Sequence, residues 1–253
     1  LQALAQRLGE RLKPAHVVTR IAETREGVEV DAFDAGAQTT VRWQAEHCIV
    51  ALPVFIAARV VENPPEVLRN AAAHLRYAPW LVANVHIRVP LADNAHGAAP
   101  SWDNVAYGTR GLGYVDARHQ TLDPTPAPTV LSWYRPLGPS TYDTGDGRRQ
   151  LLDRPWTAWR DELLGELSVP HPDLASLATR IDITRYGHAM AIPTPGLLSQ
   201  IGLQRPSPLR SALSNQEHGR VTAGRLAFAH ADWSGYSIFE EAFTRGHFAG
   251  LLT

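Results

Sequence analysis

The segment that most constrains the fold is a short apolar run, Cys48-Ile49-Val50-Ala51-Leu52, which is closed by Pro53. A strand without polar positions is typical of a sheet that is covered on both faces. Three runs rich in β-forming residues precede it, at His16–Ile21, Gly27–Phe33 and Thr39–Gln44. Turn sequences separate these runs. The pattern therefore predicts a β-meander followed by one buried strand.

Helices and further strands follow without a regular alternation. Helical patterns cover Leu1–Leu12, Pro64-Pro65 to Arg76, Arg148–Leu167 and Ile238–Leu252. Further strand patterns cover Trp80–Val89, Gly113–Arg118, Thr129–Arg135, Ala178–Tyr186 and Arg225–His230. The helix over 148–167 is expected to bury Trp156, Trp159, Leu163 and Leu164. Because a repeated strand–helix–strand order is absent, we expect an α+β fold with a mixed or antiparallel sheet.

Composition excludes several classes of function. The chain has 253 residues with 24 Lys+Arg and 25 Asp+Glu, and its formal net charge of −1 favours neither nucleic acid nor an anionic membrane. The single cysteine, Cys48, excludes an internal disulfide and a Cys-rich metal site. The single lysine, Lys13, excludes most lysine-based catalysis. The scattered histidines predict no metal site, and no apolar run reaches the roughly 18 residues of a membrane span.

The aromatic-rich stretches leave two interpretations open. Trp102–Tyr114, Trp133-Tyr134 and Trp156–Trp159 fit either the lining of an apolar pocket or the filling of a core. Periodicity and spacing alone lead no further than a mixed α/β protein.

The segment from Gly224 to Gly246 resembles the closing motif of the flavin-containing amine oxidases and phytoene desaturases. In that family a Gly-Arg-x-x-Phe-Ala-Gly-Asp/Glu strand leads to a helix, and here the strand reads Gly-Arg-Leu-Ala-Phe-Ala-His-Ala-Asp. The resemblance implies that Asp232 accepts a hydrogen bond from FAD, and that N–H groups near Ile238 and Phe239 face the flavin. The alternative is an ordinary strand, loop and helix in which Asp232 is a capping residue.

Other segments resemble the same family in the expected order. The run His16–Ile21 resembles its "V-x-x-I" strand, which implies that the backbone of Val18 pairs with the adenine of FAD. The run from Glu46 to Pro53 resembles the strand ending "A-x-P", which places Ala51 on the cofactor side. Tyr186–Met190 with Pro193–Gly196 resembles a loop that approaches the flavin. The central part, with Trp102-Asp103-Asn104, is similar to a bacterial subgroup of FAD-dependent oxidoreductases.

For the substrate side, the resemblance implies His188, Tyr186, Tyr236 and Trp233; Tyr236 fits an aromatic wall of a substrate cage or a packing residue equally well. Three positions depart from the family. His230 replaces the glycine of the closing motif. His188 stands where some members carry a cysteine bonded to the flavin, so the FAD is expected to be non-covalent. Ala83-Asn84 lies where many amine oxidases have a lysine, which weighs against ordinary amine oxidation.

We therefore expect an FAD-dependent oxidoreductase that transfers a hydride from a C–N or C–C bond of a small-molecule substrate to flavin. Because the chain begins at Leu1 and has no G-x-G-x-x-G unit, we expect it to be the C-terminal part of a longer protein, inactive alone and with little affinity for FAD. Residues 1–53 and 215–253 would form part of the FAD-binding lobe, and residues 54–214 the substrate-binding domain.

Three further expectations accompany this one. Apolar surface left uncovered on the FAD lobe would be covered by a homodimer or by a rearrangement of the domains. The absence of disulfides fits the cytoplasm. The alternative function is a non-catalytic ligand-binding or interaction protein on the same scaffold, which the replacements at His230 and Ala83-Asn84 favour.

Overall fold

The computed structural model describes residues 2–92, 101–121, 123, 125–138, 146–201 and 221–251. Its strands are β1 (His16–Glu23), β2 (Val28–Asp34), β3 (Thr39–Ala45), β4 (Cys48–Val50), β5 (Tyr77–Ile87), β6 (Asp103–Asn104), β7 (Tyr114–Asp116), β8 (Thr129–Pro136), β9 (Ala178–Ala191), β10 (Val221–Ala223) and β11 (Leu226–Phe228). Its helices are α1 (Gln2–Leu8), α2 (Val54–Val60), α3 (Glu66–His74), α4 (Gly147–Asp153), α5 (Trp156–Leu167), α6 (Leu174–Leu177), α7 (Leu197–Gln200) and α8 (Phe239–Gly250). Helices combined with largely antiparallel sheets make the fold α+β, as expected.

The chain divides into two compact units. The first unit comprises Leu1–Leu75 and Ile192–Thr253, and the second unit is the continuous segment Arg76–Ala191. None of the described helices is both long enough and apolar enough to cross a membrane.

The predicted meander is confirmed in the first unit. Strands β1, β2 and β3 follow one another in an antiparallel sheet. The register shifts between Val18 and Arg20, so that Thr19 forms a bulge, and its hydroxyl donates to the backbone oxygen of Asp31 at 3.2 Å. Ile21, Val28 and Ala32 fill the space under the sheet with exposures of 3% or less.

The apolar strand β4 is present, but it is covered on one face only. It pairs in parallel with β11, with Cys48 opposite Leu226 and Val50 opposite Phe228, and β11 pairs antiparallel with β10. Val50 is buried, whereas Ile49 on the opposite face is exposed. The expectation of burial on both faces is therefore wrong for the described part of the chain, in which β4 is the edge strand of its sheet.

The second unit is built on an antiparallel sheet of five strands in the order β6-β7-β8-β5-β9. Alternate residues of the central strand β5 point to one face and are almost completely buried; they are Leu81, Ala83, Val85 and Ile87. They pack with α5 through Trp159, Leu163 and Leu167 in a single core cluster. The opposite face of the sheet carries residues that are only half-buried.

The single helix expected over 148–167 is two helices, α4 and α5, separated at Arg154-Pro155. A residue that precedes proline is pushed out of the helical region, and proline itself is accommodated at the start of the next helix. The new helix buries Trp159 and Leu163 as predicted, but it leaves Trp156 exposed. The guanidinium of Arg160 lies 5.3 Å from the Trp156 ring instead.

Strand β9 continues five residues beyond the predicted end at Tyr186. The segment interpreted as a loop from Tyr186 to Met190 is therefore strand, because β5 is long enough to pair with it up to Ala191. The pairing is interrupted by a bulge: Ala78 faces Met190 and Trp80 faces Tyr186, so that the one residue Pro79 lies opposite residues 187–189. Proline has no N–H to donate, and a bulge accommodates it within a ladder.

Candidate functional site

The carboxylate of Asp232 holds the beginning of α2. Asp232 is buried, and its Oδ2 atom accepts a hydrogen bond of 2.9 Å from the backbone N–H of Val54. The residue before the helix is Pro53, which has no side-chain acceptor of its own, so Asp232 supplies the cap from a distant part of the chain. Asp232 therefore caps α2, and the helix that follows it in the chain has Ile238 at its N-cap instead.

His230 extends this arrangement on the exposed side of Asp232. Its Nδ1 atom lies 3.1 Å from the backbone nitrogen of Asp232, from which it accepts, and 3.2 Å from the carboxylate Oδ1. The backbone at His230 has a φ of 178°, which any residue adopts without strain. The position therefore has no need of the family's glycine, and the imidazole occupies the space beside the carboxylate.

Two segments that the resemblance assigns to the cofactor side come together in the first unit. The turn Pro193–Gly196 and the turn around Gly235 line the same cleft, with a volume of about 240 Å³, and Tyr236 forms part of its wall. Gly235 has a φ of +69°, and a Cβ atom there would lie 3.1 Å from a methyl group of Leu197. The left-handed backbone therefore favours glycine at this position, and the Leu197 methyl group leaves little room for a side chain.

The start of α8 lies directly after this cleft. Ile238 occupies the N-cap position without a side-chain cap bond, and both Ile238 and Phe239 are exposed. Arg245 lies in the second turn of α8 and binds the segment before the helix. Its Nε donates to the Ser234 hydroxyl at 2.9 Å, and its Nη2 donates to the Trp233 carbonyl at 3.0 Å. Burial lowers the pKa of Arg245 from its usual high value.

The remaining predicted residues of the first unit lie in different surroundings. Trp233 is 1% exposed and packs with its ring 5.5 Å from that of Phe228, so that it fills the core. Val18 is half-buried on the meander beside the bulge at Thr19. Ala51 is exposed immediately after β4.

The substrate-side predictions of the second unit lie at the bulge of β9. Tyr186 is exposed and faces Trp80 across the β5–β9 ladder. The Nε2 atom of His188 accepts a hydrogen bond of 2.6 Å from Nη1 of Arg148 on α4, and the ring of Tyr77 lies 5.6 Å from the imidazole. Arg148 was missed from the sequence because its pairing spans 40 positions and depends on the bulge.

The strand position where many amine oxidases carry a lysine is occupied by Asn84. Its Oδ1 atom accepts a hydrogen bond of 2.8 Å from the Ser132 hydroxyl, while Ala83 is buried on the other face of the sheet. A neutral amide thus stands at this position in place of an amine, and the Asp182 carboxylate lies opposite it on β9. No group of three or more His, Cys, Asp or Glu side chains that could bind a metal occurs among the residues that the structure covers.

No protein-family model and no curated protein matches the sequence. Solved structures of amine oxidases do match its fold. Cyclohexylamine oxidase from Brevibacterium oxydans IH-35A aligns with a TM-score of 0.64 and 17% identity, covering 99% of this chain and 52% of the oxidase. An A394C mutant of putrescine oxidase aligns with a TM-score of 0.69 and 15% identity, covering 98% of this chain and 50% of the oxidase. Wild-type putrescine oxidase bound to putrescine aligns with a TM-score of 0.67 and 14% identity.

At these identities the likeness is one of fold. The chain spans about half the length of the oxidases that it matches. The predicted resemblance to flavin amine oxidases is confirmed at this level.

Proposed function

We propose that this chain forms part of an FAD-dependent oxidoreductase that acts on a small-molecule substrate. The observation that carries the proposal is the parallel β4–β11 pair, which gathers the buried Asp232, the cleft beside Tyr236 and the start of α8 in one unit with an amine oxidase fold. When bound, FAD supplies the acceptor for a hydride from a C–N or C–C bond.

The residues of the first unit suit such a cofactor in part. The beginning of α8 has first-turn N–H groups that receive no side-chain cap from Ile238 and would donate to a flavin edge, while Glu240 and Glu241 in the first turn offset the positive charge of the helix end. Tyr236 and the Pro193–Gly196 turn would form one wall of the cleft beside the cofactor. Asp232 would position the cofactor by holding the beginning of α2, and Val18 and Ala51 remain proposed contacts.

On the substrate side we propose Tyr186 and His188 of the second unit, which lie on an exposed edge of its sheet. Trp233 is not included because its ring is buried in the first unit. The assignment of residues 1–53 and 215–253 to a cofactor lobe and of 54–214 to a substrate domain stays a prediction, as do non-covalent binding of FAD, the homodimer and the cytoplasmic location.

A non-catalytic binding protein remains the second candidate. Two observations favour it: the His230 imidazole occupies the space beside Asp232, and the Oδ2 atom of that carboxylate already caps α2. The two candidates differ in whether the full gene product holds a flavin.

The proposed function is tested on the full product of the gene that encodes this chain, reconstituted with FAD and freed of excess cofactor. We expect flavin absorbance at a stoichiometry near one, and a weaker complex in Tyr236→Ala because the cleft loses its aromatic wall. Tyr107→Ala is the control, since Tyr107 is completely exposed and lies in the second unit. A protein without flavin absorbance would support the binding module instead.

The 253-residue chain alone should bind FAD weakly, because the family's phosphate-binding glycine unit is absent from it. Fluorescence titration of FAD with this chain measures the affinity directly. Tight stoichiometric binding would contradict this expectation and would place the main cofactor contacts within residues 1–253.

A further inference from the structure

The sheet of the second unit has an outer face, which points away from the core residues Leu81, Ala83 and Val85. Side chains of directly paired residues lie on the same face of a sheet. The pairing of β5 with β8 and with β9 therefore places residues of three neighbouring strands side by side on this outer face. Those that matter here are Trp80, Asn84, Ser132, Tyr134, Asp182 and Tyr186. The outer face thus joins an aromatic end to a polar end.

The aromatic end consists of three rings from three strands. Trp80 pairs with Tyr186 across the β5–β9 ladder, and Tyr186 is 48% exposed. The Trp80 ring lies 6.4 Å from that of Tyr134, edge to face at 62°. Trp80 and Tyr134 are both half-buried. Rings that are fixed on a sheet and remain partly exposed offer their surface to the ring of a ligand.

The amide of Asn84 lies next to the aromatic end. Asn84 follows Val82, the partner of Tyr134, by two positions, so at roughly 3.4 Å per residue the two sites are about 7 Å apart along the strand. The Oδ1 atom of Asn84 accepts a hydrogen bond of 2.8 Å from the Ser132 hydroxyl, which fixes the orientation of the amide. No other hydrogen bond of this amide occurs in the described part of the chain. Its Nδ2 group therefore has two N–H donors for the acceptor of a ligand.

The charged groups beside Asn84 compensate one another. Asp182 lies opposite Asn84, and its Oδ1 atom accepts a hydrogen bond of 2.8 Å from Nε of Arg180. Its Oδ2 atom lies 3.0 Å from Nε2 of His86. Arg180 also holds the pKa of the Asp182 carboxyl below its usual range, so this group is ionised at neutral pH. Because the carboxylate and the guanidinium already pair, a charged ligand at Asn84 would find no free counter-charge.

We propose that the outer face binds an uncharged aromatic substrate that contains a carbonyl group. The ring of the substrate lies against Trp80, Tyr134 and Tyr186. Its carbonyl oxygen accepts an N–H of Asn84, whose amide is positioned by Ser132. An apolar body held by a few fixed polar groups is the usual arrangement of a small-molecule site. This inference rests on the proposed function, because it names the class of substrate.

The test is the binding of 3-phenylpropanamide to the 253-residue chain, measured by titration with detection of the ring protons by NMR. The methylene groups of this compound separate its ring from its carboxamide, as Tyr134 is separated from Asn84. Two charged analogues, 3-phenylpropanoate and 3-phenylpropylamine, are compared with it. We expect each analogue to bind at least about fivefold more weakly, because its charge finds no free partner on the outer face.

Variants of Asn84 test the hydrogen bond. Asn84→Leu removes the donors and should weaken binding of the amide by about threefold to tenfold, as is typical for the loss of one hydrogen bond. The matched control is Asn70→Leu, which makes the same change at an exposed position of α3 in the first unit and should leave binding unchanged. Asn84→Asp replaces donors by acceptors and should reverse the preference, so that 3-phenylpropylamine binds better than the amide. A purely structural role of Asn84 would not change the order of the ligands.

Tyr186→Ala tests the aromatic end independently of Asn84. It should weaken binding of the amide by about threefold or more. Tyr107→Ala is its control, because Tyr107 is completely exposed in the same unit and lies outside the outer face. Thermal unfolding of each variant is compared with that of the parent chain, and an unchanged transition shows that lost affinity does not come from unfolding.

Three results would each overturn the proposal: absence of amide binding, equal or tighter binding of a charged analogue to the parent chain, or equal losses in Asn84→Leu and Asn70→Leu. The experiment requires no flavin, so its outcome is independent of the test of the proposed function.

Discussion

At Gly224 both the backbone conformation and the surroundings require glycine. It joins β10 to β11 with a φ of +56°, and a Cβ atom there would lie 2.4 Å from the carboxylate of Glu23. That carboxylate accepts the backbone N–H of Arg225 at 2.9 Å, and the Arg225 guanidinium donates to the carbonyl of Glu46 at 3.2 Å. The Gly-Arg pair of the closing motif thus ties the C-terminal hairpin to the meander.

The change Gly224→Ala should destabilise the protein by about 1–3 kcal/mol, because the side chain meets both a strained backbone and an occupied space. Urea unfolding measures the loss. The control is Gly246→Ala on the exposed part of α8, where no atom lies within 4 Å of the added Cβ and a gain of about 0.5–1 kcal/mol is expected. Similar effects of the two changes would contradict this account.

His171 makes the stability of the second unit dependent on pH. Its Nε2 atom and the Tyr114 hydroxyl form a buried hydrogen bond of 2.8 Å. Burial lowers the pKa of His171, against a smaller opposing effect of Asp173, and it raises the pKa of Tyr114 to about 12.

Because the folded state resists protonation of His171, the unfolded state takes up the proton first as the pH falls below about 6.5. Stability is therefore present above that pH and decreases below it, by at most about 1.4 kcal/mol per pH unit for one proton. In His171→Gln, the free energy of unfolding should decrease less between pH 7 and pH 5 than in the parent protein, because no buried imidazole is left to protonate. An unchanged slope would show that other groups cause the dependence.

At the residue scale, the closing motif draws attention to Asp232 in the sequence but does not predict its bond with Val54. The bond to Val54 spans 178 positions and exists only because β4 and β11 pair in parallel. No local sequence pattern singles out Arg148, because its hydrogen bond to His188 depends on a bulge that no periodicity predicts. Residue types are readable from the sequence, whereas contacts across such distances follow from the tertiary structure.

Among the elements, α5 shows how proline overrides apolar spacing. The apolar pattern runs continuously from 148 to 167, and Pro155 nevertheless divides it into two helices. Strands were easier to predict: the alternation along β5 and the meander depend on local patterns, and both agree with the structure. The extension of β9 to Ala191 could not be predicted because it depends on the length of its partner β5.

Two tryptophans on α5 provide a direct test of that division. Trp159 is completely buried and has the Arg154 guanidinium 4.0 Å from its ring, whereas Trp156 is 42% exposed. Trp159→Ala should cost about 3–5 kcal/mol of unfolding free energy. Trp156→Ala on the same helix should cost less than about 1 kcal/mol. Equal losses by urea unfolding would show that Trp156 is buried as well and would contradict the structure.

The whole molecule combines a continuous second unit with a discontinuous first unit. The second unit has its own core of sheet and helix residues. We therefore expect residues 76–191, expressed alone, to unfold cooperatively in urea and to give a near-ultraviolet circular dichroism signal from the buried Trp133 and Trp159.

Residues 1–75 alone are the comparison. They contain β4 without its partner β11, and they should show no cooperative transition. If residues 76–191 unfold cooperatively and residues 1–75 do not, the second unit folds without the first. A second segment without a transition would contradict it.

The long separation between β4 and β11 also has a consequence during synthesis on the ribosome. At roughly 5–20 residues per second, the 178 positions between Val54 and Asp232 take on the order of ten to thirty seconds to translate. During that interval the second unit can already fold, whereas β4 has no β11 to pair with and the start of α2 has no bond to Asp232. Nascent chains should therefore depend on chaperones at Ile49 and its neighbours until the closing hairpin leaves the exit tunnel.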